Sequence, residues 1–154
     1  VWANLDDYDT DDAYCYFNNN SNSNYGALYT YAAAKDACPA GWHLPSDTEW
    51  TTLENYISND GHDGTEGTAL KSTSDWQNAG TDNYGFCGLP GGHRSSSDGS
   101  FDYIAGSFHG FWWSSTENYS STAFYRYLGY YGGSEIYRAY DSKSGGLSVR
   151  CIKD

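Results

Sequence analysis

Tyrosine is the side chain whose number and spacing carry the most chemical information in this sequence. The chain has 16 tyrosines in 154 residues, and eight of them fall between Tyr103 and Tyr140. The same stretch is rich in serine and glycine, with scattered Phe, Trp and Asp. Tyrosine offers a large, stiff contact surface with a polar end, and Ser and Gly supply small hydrogen-bonding neighbours, as in antibody-like binding surfaces. The pattern therefore favours binding over catalysis.

Catalytic and metal-binding motifs are missing from the sequence. Its four histidines form no H-x-x-x-H or similar ligand set, and no G-x-S-x-G elbow or phosphate-binding loop occurs. We interpret the acidic run within residues 1–13 as a leader or linker. A D-x-D-x-D calcium loop is the alternative, although no Gly or downstream Glu follows at the helix–loop–helix spacing. We therefore expect no cofactor, and a structural calcium stays open.

Charge and cysteine usage narrow the class of partner and the compartment. The net charge of −12 argues against nucleic acid and anionic membrane surfaces as partners, because both are negatively charged. No stretch approaches the roughly 20 apolar residues that cross a bilayer, so no membrane insertion is expected.

Four cysteines without a C-x-x-C pair, in a Met-free chain, favour two disulfides and an oxidising compartment; free thiols in a cytosolic protein are the alternative. Because the chain begins at Val1, we interpret it as a processed or truncated piece whose signal peptide or lipid anchor is out of view.

Two helices are predicted in the N-terminal half. The first spans roughly Tyr29–Cys38, where four alanines precede Pro39. The second begins at Ser46, which forms a capping-box pattern with Glu49 three residues later. The apolar face of the second helix consists of three residues at helical spacing: Trp50, Leu53 and Ile57. These helices precede the tyrosine-rich region, which must supply the strands.

Short strands are predicted at one place near the N-terminus and at five places after Gly85. They are Tyr14–Phe17, Phe86–Leu89, Phe111–Ser114, Ala123–Leu128, Ile136–Tyr140 and Gly146–Ile152. In the fourth of these, alternation puts Phe124 and Leu128 on a core-facing side and Tyr125 and Tyr127 on the other. Helices followed by short strands indicate an α+β fold with a small antiparallel sheet.

Five motifs, in order along the chain, resemble a known family. They are C-P-A-G-W-H-L-P-S-D-T-E-W (38–50), L-K-S-T-S-D-W (70–76), G-F-C-G-L-P-G-G-H-R (85–94), W-W-S-S-T-E (112–117) and S-V-R-C-I-K-D (148–154). Over residues 14–154 the chain resembles the Fibrobacter succinogenes major paralogous (FISUMP) domain. That family resembles the C-type lectin fold, in the branch that includes formylglycine-generating enzyme and the variable proteins of diversity-generating retroelements. The resemblance implies two helices flanking a twisted antiparallel sheet, long loops, and pairing of the N- and C-terminal strands.

The resemblance also implies how the cysteines are used. It implies a Cys38–Cys151 disulfide, and the departures of this chain from the family pattern lead us to pair Cys15 with Cys87. Since all four cysteines then match structural positions, the catalytic cysteine pair of formylglycine-generating enzymes has no counterpart, and we expect no enzyme activity. The calcium-binding tripeptides of classical sugar-binding lectins, E-P-N or Q-P-D with W-N-D, are also missing.

Residues 93–141 are predicted to form the binding face. This stretch has no Lys, Gln or Met, and its two Trp and one of its two Glu lie in the W-W-S-S-T-E motif. That composition fits a site diversified by adenine mutagenesis in a retroelement, and fits an ordinary family member nearly as well. The expected contact residues are Tyr125, Tyr127, Tyr130, Tyr131, Tyr137, Tyr140, Asp141, Asn118, Tyr119, Ser120, Phe101, Tyr103, Phe108 and His109. For Tyr137 and Phe101, burial in the core is the equal alternative.

Other side chains are assigned to the scaffold. We expect a structural hydrogen-bonding role for His43, and scaffold roles for Trp42, Trp50, Trp76, Trp112 and Trp113. Arg126 and Arg138 are expected to stack on aromatic rings or pair with nearby Asp, with recognition of an acidic ligand as the alternative.

These observations predict a non-enzymatic, receptor- or adhesin-type display module. Its ligand is expected to be a protein or a surface glycan, and the module itself a monomer. We expect it on a secreted or cell-surface bacterial or phage protein. The alternatives are a structural or adhesive surface domain without a variable site, and a relative of the formylglycine-generating enzymes.

Overall fold

The computed structural model describes residues 12–102, 109–129 and 134–154. Three α-helices occur among them: α1 (Tyr31–Asp36), α2 (Asp47–Ile57) and α3 (Glu66–Leu70). No helix of the described residues is long and apolar enough to cross a membrane. The strands of these residues are β1 (Tyr14–Tyr16), β2 (Ala27–Tyr29), β3 (Trp42–His43), β4 (His93–Arg94), β5 (Phe101–Asp102), β6 (Gly110–Tyr119), β7 (Thr122–Leu128), β8 (Tyr137–Ser142) and β9 (Ile152–Lys153). The chain is a mixed α+β protein, as the sequence predicts.

The start of α2 confirms the predicted capping box. The Ser46 hydroxyl accepts the Glu49 N–H at 3.2 Å, and the Glu49 carboxylate accepts the Ser46 N–H at 2.8 Å. Of the predicted apolar face, Trp50 and Ile57 are buried and Leu53 is half-buried. The predicted first helix is shorter than expected, because its first residue, Tyr29, belongs to β2. Two reciprocal local bonds therefore fix where the main helix begins.

The central sheet has three antiparallel strands in the order β6-β7-β8, and the other described strands form two-stranded pairs. Two predicted strands are wrong. Residues 86–89 make only one isolated bridge, and Cys87 has a φ of +51°, which extended strands do not adopt. Residues 146–152 make separate bridges, such as Leu147 to Tyr29, and become a strand only at β9, which pairs with β3. Among the described residues, β1 pairs with β2, and β2 is in turn bridged to the C-terminal segment through Tyr29 and Leu147.

Aromatic side chains fill the core in two clusters. One contains Tyr31, Phe111, Trp113 and Leu147, together with small alanines. The other consists of Trp50, Ile57, Ala69, Leu70, Trp76, Trp112 and Leu128. Because Trp112 and Trp113 are neighbours in β6 and point to opposite faces, the two clusters lie on opposite sides of the sheet. Four of the five scaffold tryptophans are confirmed as buried, whereas Trp42, on the short strand β3, is 45% exposed.

A buried arginine lies on the same side of the sheet as the second cluster. Arg126 shares one face of β7 with Phe124 and Leu128, and only 1% of it is exposed. Its Nη1 lies 2.6 Å from the Asp47 carboxylate, and its Nε donates to Glu54. The expected pairing of this arginine with an Asp is thus confirmed. Phe124, on the same side of β7 as Arg126 and Leu128, is half-buried. Tyr125 and Tyr127, which alternation predicts on the side away from the core, pack instead against the first cluster, because the sheet is covered on both faces.

Arg138 lies beside Arg126 in the sheet and uses the same partner. The two arginines are directly opposite each other in β7 and β8. Nε of Arg138 donates to the Asp47 carboxylate at 2.8 Å, and its guanidinium lies 3.7 Å from the centre of the Phe124 ring. The expectation for this arginine is confirmed in both respects, since it pairs with an Asp and stacks on an aromatic ring.

One of the two expected disulfides is present. Cys38, just after α1, is bonded to Cys151, just before β9. Such a bond is typical of proteins from oxidising compartments. The predicted Cys15–Cys87 bond is wrong, since both thiols are free. Cys15 is held in β1 opposite Leu28, and burial raises the pKa of its thiol to about 11.

Cys87 is held by its own turn. It is exposed, and its N–H donates to the Asp82 carboxylate at 2.7 Å. Each of the two free cysteines is thus fixed by its local backbone, so neither depends on the other for its position.

The ends of the β7–β8 connection are anchored to α3 and the residue that follows it. Nζ of Lys71 donates to the carbonyl of Gly129 at 2.6 Å. The N–H of Thr68 donates to the carbonyl of Ser134 at 3.0 Å. This approach needs a glycine at position 67, because a Cβ there would lie 2.3 Å from the Glu135 carbonyl oxygen. The two strands are therefore tied to the helix on both sides of residues 130–133.

Candidate functional site

The face of the central sheet that packs on the first cluster carries three of the tyrosines that the sequence predicts as contacts: Tyr125, Tyr127 and Tyr137. Register places Phe111 opposite Tyr127 in β6 and β7, and Tyr127 opposite Tyr137 in β8. Directly opposed residues share a face, so these three rings lie side by side across the sheet. Tyr125 is opposite Trp113 on one side and Ala139 on the other, and belongs to the same face.

The rings across this face form a stacked row. His109 and Phe111 have centroids 5.8 Å apart with planes at 22°, and Phe111 and Tyr127 are 5.7 Å apart at 28°. Tyr127 and Tyr137 are 5.0 Å apart at 22°. Tyr125 meets Phe111 edge-on, with centroids 5.8 Å apart. Offset stacked and edge-on pairs are the favoured arrangements of aromatic rings, so the row is ordered by its own contacts.

A cavity of about 400 Å³ opens above this row. We call it the aromatic cavity, and its lining residues are His93, His109, Phe111, Tyr125, Tyr127, Ala139, Tyr140, Asp141 and Leu147. Leu147, which is 1% exposed, links the cavity to the core. Its volume lies within the range of small-molecule and side-chain binding sites. Ala139, with the smallest side chain of the set, leaves space between Tyr125 and the outer strand.

The polar groups of the cavity are phenols and imidazoles together with one carboxylate. Burial, and then the charge of Lys71, holds the pKa of His109 below its usual value, so the ring is neutral at pH 7. Burial raises the pKa of Tyr127, which therefore keeps its hydroxyl proton. The Asp141 carboxylate accepts the Ser142 N–H at 2.7 Å, which leaves further acceptor positions on its oxygens. Such a lining can donate and accept hydrogen bonds beside apolar ring surfaces.

Five of the predicted contact residues lie together in this cavity: His109, Tyr125, Tyr127, Tyr140 and Asp141. Tyr137 lies next to the cavity as the last ring of the row. Tyr140 differs from Tyr125 and Tyr127, because its position opposite Phe124 assigns it to the other face of the sheet. It is 59% exposed and meets the cavity at the outer strand.

The remaining predicted contacts do not line the aromatic cavity. Asn118, Tyr119 and Ser120 lie at the β6–β7 turn, where Tyr119 is 71% exposed. The Phe101 ring, in β5, contacts Phe17, with centroids 5.2 Å apart. Four further predicted contacts lie outside the described residues: Tyr103, Phe108, Tyr130 and Tyr131.

Four lining residues were not predicted from the sequence: His93, Phe111, Ala139 and Leu147. Phe111 and Ala139 could have been found by extending the alternation of β7 to its neighbours, since they face Tyr127 and Tyr125 across the sheet. No local signal points to His93 or Leu147. They enter through tertiary bridges, in which Leu147 pairs with Tyr29 and Arg94, next to His93, pairs with Gly146.

The expected structural role of His43 is confirmed away from this cavity. Its Nδ1 lies 2.7 Å from the Asp154 carboxylate, and its Nε2 lies 2.9 Å from the Glu49 carboxylate. Within residues 12–102, 109–129 and 134–154, no group of three or more His, Cys, Asp or Glu side chains could hold a metal ion. The acidic residues before position 12 lie outside these ranges.

Comparison with known proteins gives one match. The model of the family described as the Fibrobacter succinogenes major domain matches residues 3–153. No curated protein and no solved structure matches the chain. The family match covers nearly the whole sequence, including every residue of the aromatic cavity.

Proposed function

The chain belongs to the Fibrobacter succinogenes major domain family, and from this premise we propose that it is a non-enzymatic ligand-binding module. The aromatic cavity is the proposed binding site. The observation that carries the proposal is the assembly of Tyr125, Tyr127, Tyr140, Asp141 and His109, from three separate parts of the sequence, around one open volume of about 400 Å³.

The packing of the sheet supports recognition by pre-formed side chains. Tyr127 is held between Phe111 and Tyr137, so little side-chain freedom remains to be lost when a ligand binds. Tyrosine, which combines a large contact area with one hydroxyl, is enriched at the energetic centres of binding surfaces. The ligand is a protein segment or a surface glycan, because both present apolar surface together with hydroxyl or amide groups.

The test is a binding screen with paired tyrosine variants. Purified protein is applied to a glycan array and to an array of bacterial surface proteins, and each hit is quantified by biolayer interferometry. Tyr125→Ala and Tyr127→Ala remove cavity rings. Tyr14→Ala and Tyr56→Ala are matched controls, because these rings are 62% and 60% exposed and lie outside the cavity. Near-UV circular dichroism checks that every variant keeps its tertiary packing.

We expect each cavity variant to weaken binding at least about tenfold, which is the size of a typical hot-spot truncation. The controls should stay within about twofold of the parent. If an alanine variant loses its fold, Tyr127→Phe and Asp141→Asn replace it, because each removes one polar group and leaves the packing volume. Equal losses in control and cavity variants, or full binding in both cavity variants, would overturn the proposal.

The proposal includes variation of the cavity lining by a retroelement. In such a system Tyr125, Tyr127 and Asp141 would differ among sibling cells, whereas Trp112 and Trp113, which fill the two core clusters, would not. Deep sequencing of this coding region tests the idea, together with a search for a template repeat beside a reverse-transcriptase gene. Invariant cavity codons would count against diversification but leave the binding site itself unaffected.

We place the binding module on a C-type lectin-like fold at the cell exterior. The Cys38–Cys151 bond and the pairing of β3 with β9 support this assignment, because both close the C-terminal chain onto the helical half. The alternative of a purely adhesive or structural domain predicts surface attachment that persists when the cavity rings are removed. An enzyme of the formylglycine type predicts cysteine oxidation in a peptide substrate, which a peptide-oxidation assay by mass spectrometry would detect.

A further inference from the structure

A second cavity, of about 300 Å³, lies on the α2 side of the sheet and shares no residue with the aromatic cavity. We call it the α2-side cavity. It is lined by Pro45, Glu49, Trp50, Leu53, Leu70, Tyr84, Gly85, Phe86, Arg150, Cys151 and Ile152. The two cavities lie on opposite sides of β6, since Phe111 borders one and Trp112 contacts Phe86 of the other. Any ligand of the α2-side cavity therefore binds independently of the proposed display site.

The walls of this cavity are apolar. Trp50 and Leu70 are 3% and 1% exposed and belong to the second core cluster. The rings of Trp50 and Phe86 meet edge-on, with centroids 6.0 Å apart. Ile152 is 39% exposed at the rim. A small apolar group entering here would cover surface that the fold leaves open.

Arg150 is the positively charged residue in the lining of this cavity. Its guanidinium lies over the Phe86 ring at 4.6 Å, and its Nη2 donates to the Phe86 carbonyl at 2.6 Å. Among the described residues no carboxylate lies within ion-pair distance of it, and its buried Nε has no hydrogen-bond partner. Burial lowers the pKa of Arg150 although the charges of Cys87 and Asp82 act in the opposite direction, so this cation is partly removed from water. Because buried charges in proteins are normally in direct contact with a partner, a partly buried cation without such a contact in an open cavity points to an external anion.

The nearby carboxylate of Glu49 does not serve as the partner. One of its oxygens accepts the N–H and the hydroxyl of Ser46, both at 2.8 Å. The other lies 2.9 Å from Nε2 of His43. Glu49 is thus committed to the start of α2, and its negative charge is already compensated by donors.

We propose that the α2-side cavity binds a small carboxylic acid with an aromatic or branched aliphatic body. The body occupies the volume between Trp50, Leu53 and Phe86, and the carboxylate accepts hydrogen bonds from Arg150. A planar guanidinium matches the two oxygens of a carboxylate better than any other side chain does. The occupant is small because the cavity lies at the lower end of the volume range of ligand sites.

The first experiment compares ligands that differ only in charge. The ¹⁵N-labelled protein is titrated with 3-phenylpropionate, 3-phenylpropan-1-ol and 3-phenylpropylamine, and the Trp50 indole N–H is followed by NMR. We expect saturable shifts with the acid and affinities at least about tenfold lower for the alcohol and the amine, because only the acid pairs with Arg150. A pentapeptide with a C-terminal Phe, and its amidated form, are titrated in parallel. Equal affinities of acid and alcohol, no saturable shift at millimolar acid, or binding by the free-acid peptide alone would each overturn the proposal.

The second experiment changes the protein. Arg150→Gln should weaken the acid at least about tenfold and leave the alcohol unchanged. Lys153→Gln is the matched control, because it removes the same charge from an exposed neighbour outside the cavity. If Arg150→Gln does not fold, Ile152→Glu adds an anion at the exposed rim and should weaken the acid alone. Retained acid affinity in the folded Arg150→Gln variant, or in Ile152→Glu, would also contradict the proposal.

Discussion

Replacing Arg126 or Arg138 with alanine compares two arginines that share one carboxylate but differ in exposure. Arg126 is 1% exposed, and its side chain reaches Asp47, Glu54 and, at 3.1 Å, the Thr51 hydroxyl. The side chain of Arg138 is 47% exposed and reaches Asp47 alone among these groups. Removing one partner of a buried ion pair typically costs about 3–5 kcal/mol. Because Asp47 and Glu54 are 21% and 25% exposed and can partly rehydrate, we expect about 3 kcal/mol for Arg126→Ala.

The cost of Arg138→Ala should be smaller. An exposed ion pair contributes about 0–1 kcal/mol, and a cation over a ring at an exposed site about 0.5–1 kcal/mol. We expect a total of about 1 kcal/mol. Urea unfolding followed by tryptophan fluorescence at pH 7 measures both variants, and the slope against urea shows whether they still unfold in one step.

Glu54→Gln provides the internal control for this reasoning. In the parent it removes the partner of Arg126 and should destabilise the protein. In the Arg126→Ala background it removes a carboxylate that has lost its cation, so it should cost less or restore stability, with a coupling free energy of about 1–2 kcal/mol. If Arg138→Ala cost as much as Arg126→Ala, or if the effects of Arg126→Ala and Glu54→Gln simply added, burial would not be the deciding factor.

Two further predictions concern the C-terminal chain. The Cys38–Cys151 bond joins residues 113 positions apart, and the chain-entropy model assigns such a loop about 5 kcal/mol. In urea unfolding, the variant with both cysteines replaced by serine should lose most of this free energy of unfolding. Cys87→Ser, the control, should stay within about 0.5 kcal/mol of the parent. The second prediction concerns His43, whose pKa is raised by hydrogen bonding to Asp154 and then to Glu49. The protonated imidazole therefore stabilises the folded protein fully below the unfolded pKa of about 6.5, and this stabilisation is lost as pH rises through the higher folded pKa. The free energy of unfolding of the parent relative to His43→Gln should therefore fall as pH rises above about 6.5 in urea titrations, and a difference that is constant or grows with pH would contradict this assignment.

Local patterns predict the local structure of this chain well. The reciprocal bonds of Ser46 and Glu49 require only four consecutive residues, so the start of α2 is visible in the sequence. Alternation in β7 also places Tyr125 and Tyr127 correctly on one face. Alternation does not say which face is covered. In the structure both faces of β7 are covered. The carboxylates that pair with Arg126 come from α2, more than 70 positions away in the sequence.

The parts of the site that were not predicted depend on long-range contacts. His93 and Leu147 reach the aromatic cavity through bridges between loops that have no periodic pattern. The predicted Cys15–Cys87 bond, inferred from the family resemblance, is wrong for a related reason. The sequence does not reveal that Asp82 holds Cys87 in a turn. Arg150 lies in a motif that identifies the family, yet nothing in that motif shows that its buried Nε has no hydrogen-bond partner.

The anchoring of Gly129 and Ser134 to the α3 region has a consequence for engineering. Lys71 holds Gly129 and Thr68 holds Ser134, so the end of β7 and the start of β8 are anchored separately. The register of β8 therefore does not depend on the residues that join the two strands. Doubling the length of such a connection costs only about 0.6 kcal/mol in closure entropy. The connection between Gly129 and Ser134 is therefore a place where a foreign peptide can be inserted while β7 and β8 keep their pairing.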